Sequence, residues 1–283
     1  MLGAEELHRC ITRARVGGWY DRFRFYRHPP SRDDIAAWLK QFAVGHHRIA
    51  GKLLDQTEVL SPQDILQGYR QAIAGIAGWD VDPAKRVGRW FFLGVGQQGE
   101  SGHAMVHILR EALGLTQGAH QGSFPSLTDL PKLKLGTQDT VVFVDDFSGT
   151  GSQFSKHWAM MQELVSGEAR MFLLLAAVTA TAMEELSRLA DLSVLASRVL
   201  PKTANVLLPG NPDFTKPEKD TILTYCKLAD RRSPKGWGDC GLLFVLSHKT
   251  PNNSLPILHA ITGKWTGLFP RDLNKIVQPQ AAA

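Results

Sequence analysis

Cysteine is scarce in this 283-residue chain, with only Cys10, Cys226 and Cys240. Their odd number, wide spacing and lack of any CxxC pair argue against a disulfide framework, a structural zinc site and a dithiol redox motif. No run of about 18 apolar residues exists, so no membrane-spanning helix is expected. The N-terminus carries charges where a secretory signal would need an apolar stretch, which points to the cytoplasm. No GxxxxGK[ST] loop occurs, so a P-loop nucleotidase is not supported. Neither a solenoid-length repeat nor a low-complexity tract is present. Charge of one sign is not in large excess either: 32 Lys and Arg against 27 Asp and Glu give +5. That balance favours acidic partners without naming one.

What remains is an ordinary globular composition, 43% apolar and 21% charged, which excludes global disorder. Residues 31–79 read as helical. Ile35, Trp38, Leu39 and Phe42 share one face, Ile49, Leu53 and Leu54 a second, and Ile65, Leu66, Tyr69 and Ile73 a third. Ser31 and the Ser61-Pro62 pair are helix-start signals. From Trp90 the pattern changes. Trp90–Val95, Thr140–Val144, Met171–Val178 and Leu192–Leu200 are buried-strand runs separated by helical stretches at Ser101–Leu113, from Phe154 to Val165, and through Met183, Leu186 and Leu189. This alternation predicts an α/β fold, a doubly wound parallel sheet with covering helices. Beyond Pro201 the chain turns rich in Gly, Pro and Asn, with a helix expected near Lys219–Leu228 and a strand at Gly241–Leu246. Three regions are therefore expected: a helical N-terminal region with a basic-aromatic arm (1–88), an α/β core (89–200) and a C-terminal cap or hood (201–283).

One stretch concentrates the chemistry. The strand ending at Val144 leads into Asp145 and Asp146, then into Phe147-Ser148-Gly149-Thr150-Gly151-Ser152-Gln153 and a helix. Such a loop can turn backbone N–H groups toward one point, and the helix start adds partial positive charge, so a phosphate monoester can be held without a lysine. Ser148, Thr150 and Ser152 add hydroxyls. Two adjacent carboxylates suit a ribose diol and a sugar carbon gaining positive charge as its leaving group departs. That is the chemistry of glycosyl transfer. A second glycine-rich loop, Gly96-Gln97-Gln98-Gly99-Glu100-Ser101-Gly102, also runs from a strand into a helix and can cradle a diphosphate.

These motifs resemble the type I phosphoribosyltransferase family. Its loop for 5-phosphoribosyl diphosphate (PRPP) is an apolar strand, two acids, three residues, then Thr-Gly and two small residues. Ser152 and Gln153 stand where that family usually has glycine and threonine. The resemblance implies that Asp145 and Asp146 are catalytic and that Ser148, Gly149, Thr150, Gly151 and Ser152 bind the 5-phosphate. It implies that Gly96, Gln97, Gln98, Gly99, Glu100, Ser101 and Gly102 bind pyrophosphate, with Mg²⁺ carried by the diphosphate rather than by a protein cage. The family's hood falls on Asp239, His248 and Asn252. Gly-Asp-Cys-Gly at 238–241, the Thr-Pro-Asn-Asn run and Trp265 to Arg271 are similar to phosphoribosyltransferase-like proteins of bacterial conflict systems, including retron defence cassettes. The expected partners are thus PRPP or a ribosyl phosphate, with nucleic acid or defence-system proteins and a homo-oligomer left open. A PRPP or nucleotide sensor, or a nucleic-acid-associated regulatory module, is the alternative to an enzyme. Arg9, Arg13, Arg15, Arg22, Arg24 and Arg27 interleave with Trp19, Tyr20, Phe23, Phe25 and Tyr26. That composition suits nucleic acid and equally suits an arm packed on the domain.

Overall fold

The computed structural model describes residues 15–96, 101–165 and 168–271. The chain divides into two compact units: residues 63–202 form one, and the other is assembled from 1–62 and 203–283. The N-terminal helices and the C-terminal segment, expected as separate regions, thus share a unit, and the last helix of the expected N-terminal region falls in the α/β unit.

The composite unit opens with helix α1 (15–23), α2 (Arg32–Lys40), α3 (His47–Gln56) and strand β1 (Glu58–Leu60). Ser31 starts α2 through a capping box: its hydroxyl accepts from the Asp34 amide, and the Asp34 carboxylate accepts from the Ser31 amide. Ile35 and Trp38 then fall on the buried face.

In the α/β unit, α4 (Pro62–Ala74) precedes β2 (Trp90–Gly94), α5 (Ser101–Ala112), β3 (Thr140–Ser148), α6 (Ser152–Leu164), β4 (Arg170–Thr179), α7 (Ala180–Leu186) and β5 (Leu192–Leu200). The four strands pair in parallel in the order β2-β3-β4-β5. The near-continuous apolar sequences of β2, β3 and β4 have a simple cause, because both faces of the sheet are covered there, whereas the edge strand β5 carries Ser193, Ser197 and Arg198 and is only partly buried. On one face Phe91, Leu93, Val141 and Phe143 meet Phe154, Trp158 and Met161 of α6 and Ala182 and Leu186 of α7. On the other, Trp79 packs edge-on to Trp90 and Phe92, and Tyr69 of α4 reaches β3. The expected α/β fold with a parallel sheet and flanking helices is present.

The chain then returns to the composite unit with α8 (Lys216–Ala229), β6 (Phe244–Leu246), α9 (Pro256–His259) and the hairpin β7 (Ile261–Thr262) and β8 (Trp265–Thr266). The strand expected at Gly241–Leu246 is shorter, because Gly241 adopts φ +54° and turns the backbone before Phe244. β6 pairs in parallel with β1. Trp38, Leu53, Leu54, Val245, Ile257, Trp265 and Phe269 are among the residues of one core. The indole N–H groups of Trp38 and Trp265 both donate to the Ile257 carbonyl at 2.9 Å. Among the described residues no helix is long and apolar enough to cross a membrane.

Candidate functional site

The site is built at the C-terminal end of β3, where ligands collect in open parallel sheets. The strand runs further than its apolar stretch, through Asp145, Asp146 and Phe147 to Ser148, because Asp145, Phe147 and Ser148 stay in register with Leu175, Ala177 and Val178 of β4. The acid pair is therefore fixed by sheet hydrogen bonding rather than by a loop. Asp145 Oδ1 accepts from its neighbour's amide at 2.9 Å and from the Ser101 hydroxyl at 3.1 Å. Asp146 is buried, and its Oδ1 accepts from the Phe147 amide at 2.7 Å. The Tyr69 hydroxyl donates to the Asp145 carbonyl at 2.9 Å.

Burial, and then the adjacent Asp146, raise the Asp145 carboxyl to about 7. Burial, followed by Asp146 and Asp145, likewise pushes the Tyr69 phenol well above its ordinary value. This is the expected behaviour of two acids that cannot both ionise cheaply in a dry site.

After Ser148 the chain turns sharply. Gly151 takes φ +77°, a left-handed conformation open to glycine at little cost, and serves as the N-cap of α6 without a side-chain cap. Thr150 Oγ1 and Ser152 Oγ lie 2.8 Å apart, and Ser148 Oγ accepts from the Gly151 amide at 3.2 Å. Thr179, at the end of β4, secures the loop from behind. Its hydroxyl donates to the Gly149 carbonyl at 2.7 Å and accepts from the Ala182 amide at 3.0 Å, which caps α7. Three hydroxyls and the start of a 13-residue helix, whose N-cap Gly151 has no side chain to cap it, thus lie in one turn.

The second loop approaches the same point. Gly94 and Gly102 bring the end of β2 and the first turn of α5 into backbone contact: a Cβ on Gly102 would sit 2.2 Å from the Val95 carbonyl oxygen. Only glycine permits that approach, and it places Ser101 against Asp145. Gln97, Gln98, Gly99 and Glu100 lie outside the described residues; Gly96 is exposed with φ +95°.

The structure brings Asp145, Asp146, Ser101 and the Ser148–Ser152 loop together. Asp239, His248 and Asn252 belong to the composite unit. Asp239, at φ +53°, pairs with Lys235 at 3.1 Å, and its carbonyl accepts from Asn205; the Asn252 carbonyl accepts from the Trp237 amide. His248 lies in the turn after β6. Cys240 accepts a contact from Asn253 Nδ2 at 3.3 Å, and burial pushes its thiol up, which does not suit a nucleophile. Sequence reasoning read Tyr69 only as part of an apolar face and passed over Thr179. The available signals were a polar tip on that face and a threonine between a strand and a helix, an N-cap position.

No curated protein matches the chain. The pattern of one family, described as PRTase-CE, matches residues 35–271, which takes in both loops and most of the composite unit. That match spans well over half of the chain and agrees with the parallel sheet and its flanking helices, so the chain belongs to the PRTase-CE family.

Proposed function

We propose that the chain binds PRPP or a related ribosyl phosphate with Mg²⁺ and breaks the bond between C1 and the diphosphate oxygen. The ribosyl group then passes to a base, another nucleophile or water. The observation that carries this reading is the convergence of a buried acid pair, a hydroxyl-bearing loop at an uncapped helix start, and Ser101 from the neighbouring loop. In this reading Ser148, Gly149, Thr150, Gly151 and Ser152 hold the 5-phosphate, and residues 96–102 hold the diphosphate. Asp145 and Asp146 accept from the ribose hydroxyls and offset the positive charge that grows on C1 as the electron pair leaves with the diphosphate. The nucleophile's lone pair forms the new bond to C1, and its proton passes to solvent.

The donor set fits a cation that arrives with the diphosphate. Asp145 and Asp146 offer hard carboxylate oxygens of the kind Mg²⁺ prefers. When bound, Mg²⁺ would neutralise part of the leaving group's charge. Service as an effector of bacterial antiviral defence is the setting we propose, resting on the resemblance carried by the C-terminal motifs.

One observation favours a second reading, a sensor that binds PRPP without consuming it. A carboxyl that keeps its proton to about 7 can still hold a diol but does less to stabilise a cationic C1. Calorimetry with PRPP and Mg²⁺, together with pyrophosphate release across a panel of nucleobases, separates the two. Release that vanishes in Asp145→Asn/Asp146→Asn supports the enzyme, binding without release supports the sensor, and no binding sinks both.

A further inference from the structure

Of the arginines of the N-terminal arm, Arg9 and Arg13 lie outside the described residues, and Arg15, Arg22 and Arg27 are committed to packing. Trp19, Phe23 and Tyr26 are buried in the composite core. Arg15 pairs with Asp55 at 2.6 Å, Arg22 donates to the Leu54 and Asp55 carbonyls, and Arg27 donates to the Arg271 carbonyl at 3.0 Å. The open basic surface of this unit lies elsewhere, around the C-terminal end of α8 and the β7–β8 hairpin. Two concavities occur there. One, of about 750 Å³, has Lys227, Arg231 and Lys264 in its wall. The other, of about 610 Å³, has Arg232, Lys249 and Arg271.

Arg231 and Arg232 are consecutive yet line different concavities, so the two are neighbours. Against these six cations stands a single acid, Asp230, whose carboxylate accepts from the Arg232 amide at 2.8 Å. His259 adds no charge near neutral pH, since burial and then Arg271 lower it to about 4. Among the described residues Lys227, Arg231, Arg232, Lys249 and Lys264 form no ion pair. Clustered cations that form no ion pair repel one another, a cost that a bound polyanion relieves. Trp237, 58% exposed, follows three residues after Pro234, which lines the first concavity. It is held by hydrogen bonds of its backbone N–H to the Asn252 carbonyl at 2.8 Å and of its carbonyl from Asn253 Nδ2 at 2.9 Å.

We propose that this surface binds a single strand of nucleic acid, with successive phosphates on the two basic concavities and Trp237 as a stacking face for a base. Charge repeated in two adjacent concavities suits a ligand whose charge is itself repeated along a chain, and an exposed indole on a backbone held by two hydrogen bonds suits any base. The inference is independent of ribosyl transfer, because every residue in it lies in the composite unit.

The test is fluorescence anisotropy of the full chain with labelled single-stranded DNA and RNA of about 20 nucleotides, at salt from about 50 to 200 mM. Affinity is expected to fall at least about tenfold over that range, and at least about tenfold in each of Arg231→Glu/Lys264→Glu and Arg232→Glu/Lys249→Glu. Trp237→Ala is expected to cost about fivefold or more. The charge-matched control Lys85→Glu/Lys216→Glu, at exposed ion pairs, is expected to leave affinity within about twofold. If charge reversal disturbs folding by circular dichroism, Arg231→Gln/Arg232→Gln is expected to weaken binding in the same direction. The proposal is overturned if the concavity variants bind like the parent or if the control weakens binding equally. It is also overturned if inorganic phosphate or a mononucleotide binds while the oligomers do not.

Discussion

Asp145 keeps a proton that an exposed aspartate loses well below neutral pH. Its folded value lies above its unfolded one, so between about 4 and 7 the folded chain binds more protons than the unfolded chain, and stability falls as pH rises through that window. Asp145→Asn is therefore expected to raise the melting temperature by a few degrees at pH 8 and to change it little at pH 4, read by scanning calorimetry. In an active transferase the same group is expected to make kcat/KM for PRPP rise from pH 6 to 8 with an apparent pKa of about 7. Gly102 gives a steric counterpart. Gly102→Ala drives a methyl into the Val95 backbone and toward the Val144 carbonyl, for an expected loss of about 2–4 kcal/mol in urea denaturation. Gly114→Ala, at φ +69° but in open space, is expected to cost only about 1 kcal/mol.

At the scale of elements, the turn at residues 148–152 depends on the junction of β4 and α7. Thr179→Val removes both the cap of α7 and the bond to the Gly149 carbonyl, so a loss of about 2 kcal/mol is expected. If the loop holds PRPP, KM should rise more than kcat falls, and Thr179→Ser should restore both. The Thr179 contact was invisible in sequence because it joins two elements 30 positions apart. The strands at 90, 141 and 171 were legible, since a strand buried on both faces must be apolar throughout and these runs meet that condition; the edge strand at 192, with Ser193, Ser197 and Arg198, does not. The end of β3 was not. Asp145 and Asp146 break the apolar run, while register with β4 carries the strand past them. The acid pair and the small-residue turn could be placed between a strand and a helix because local residue types signal both boundaries, whereas residues 97–100 of the other loop lie outside the described residues. The role of Ser101 needed the backbone contact of Gly94 with Gly102, which only three dimensions supply.

For the whole molecule, the governing fact is that one unit is continuous and the other is made from both ends of the chain. Residues 63–202 can form their sheet from neighbours in sequence, whereas pairing Glu58–Leu60 with Phe244–Leu246 must first close a very long loop. Refolding followed by pulsed hydrogen exchange is expected to protect β2 to β5 before β1 and β6. Simultaneous protection would show that loop closure is not limiting. The partition also explains why an expectation drawn linearly from the sequence separated 1–88 from 201–283: nothing in local periodicity tells α2 that Trp38 will donate to Ile257.

The shared core of Trp38, Leu53, Val245 and Trp265 thus works as a check on chain completeness. A polypeptide released before residue 203, or one that lost its last quarter to a protease, would keep the acid pair and its loop but leave the N-terminal apolar faces wet. Such a fragment would be marked for chaperones and degradation by its own exposed tryptophans, so the cell would hold either the whole protein or little of it.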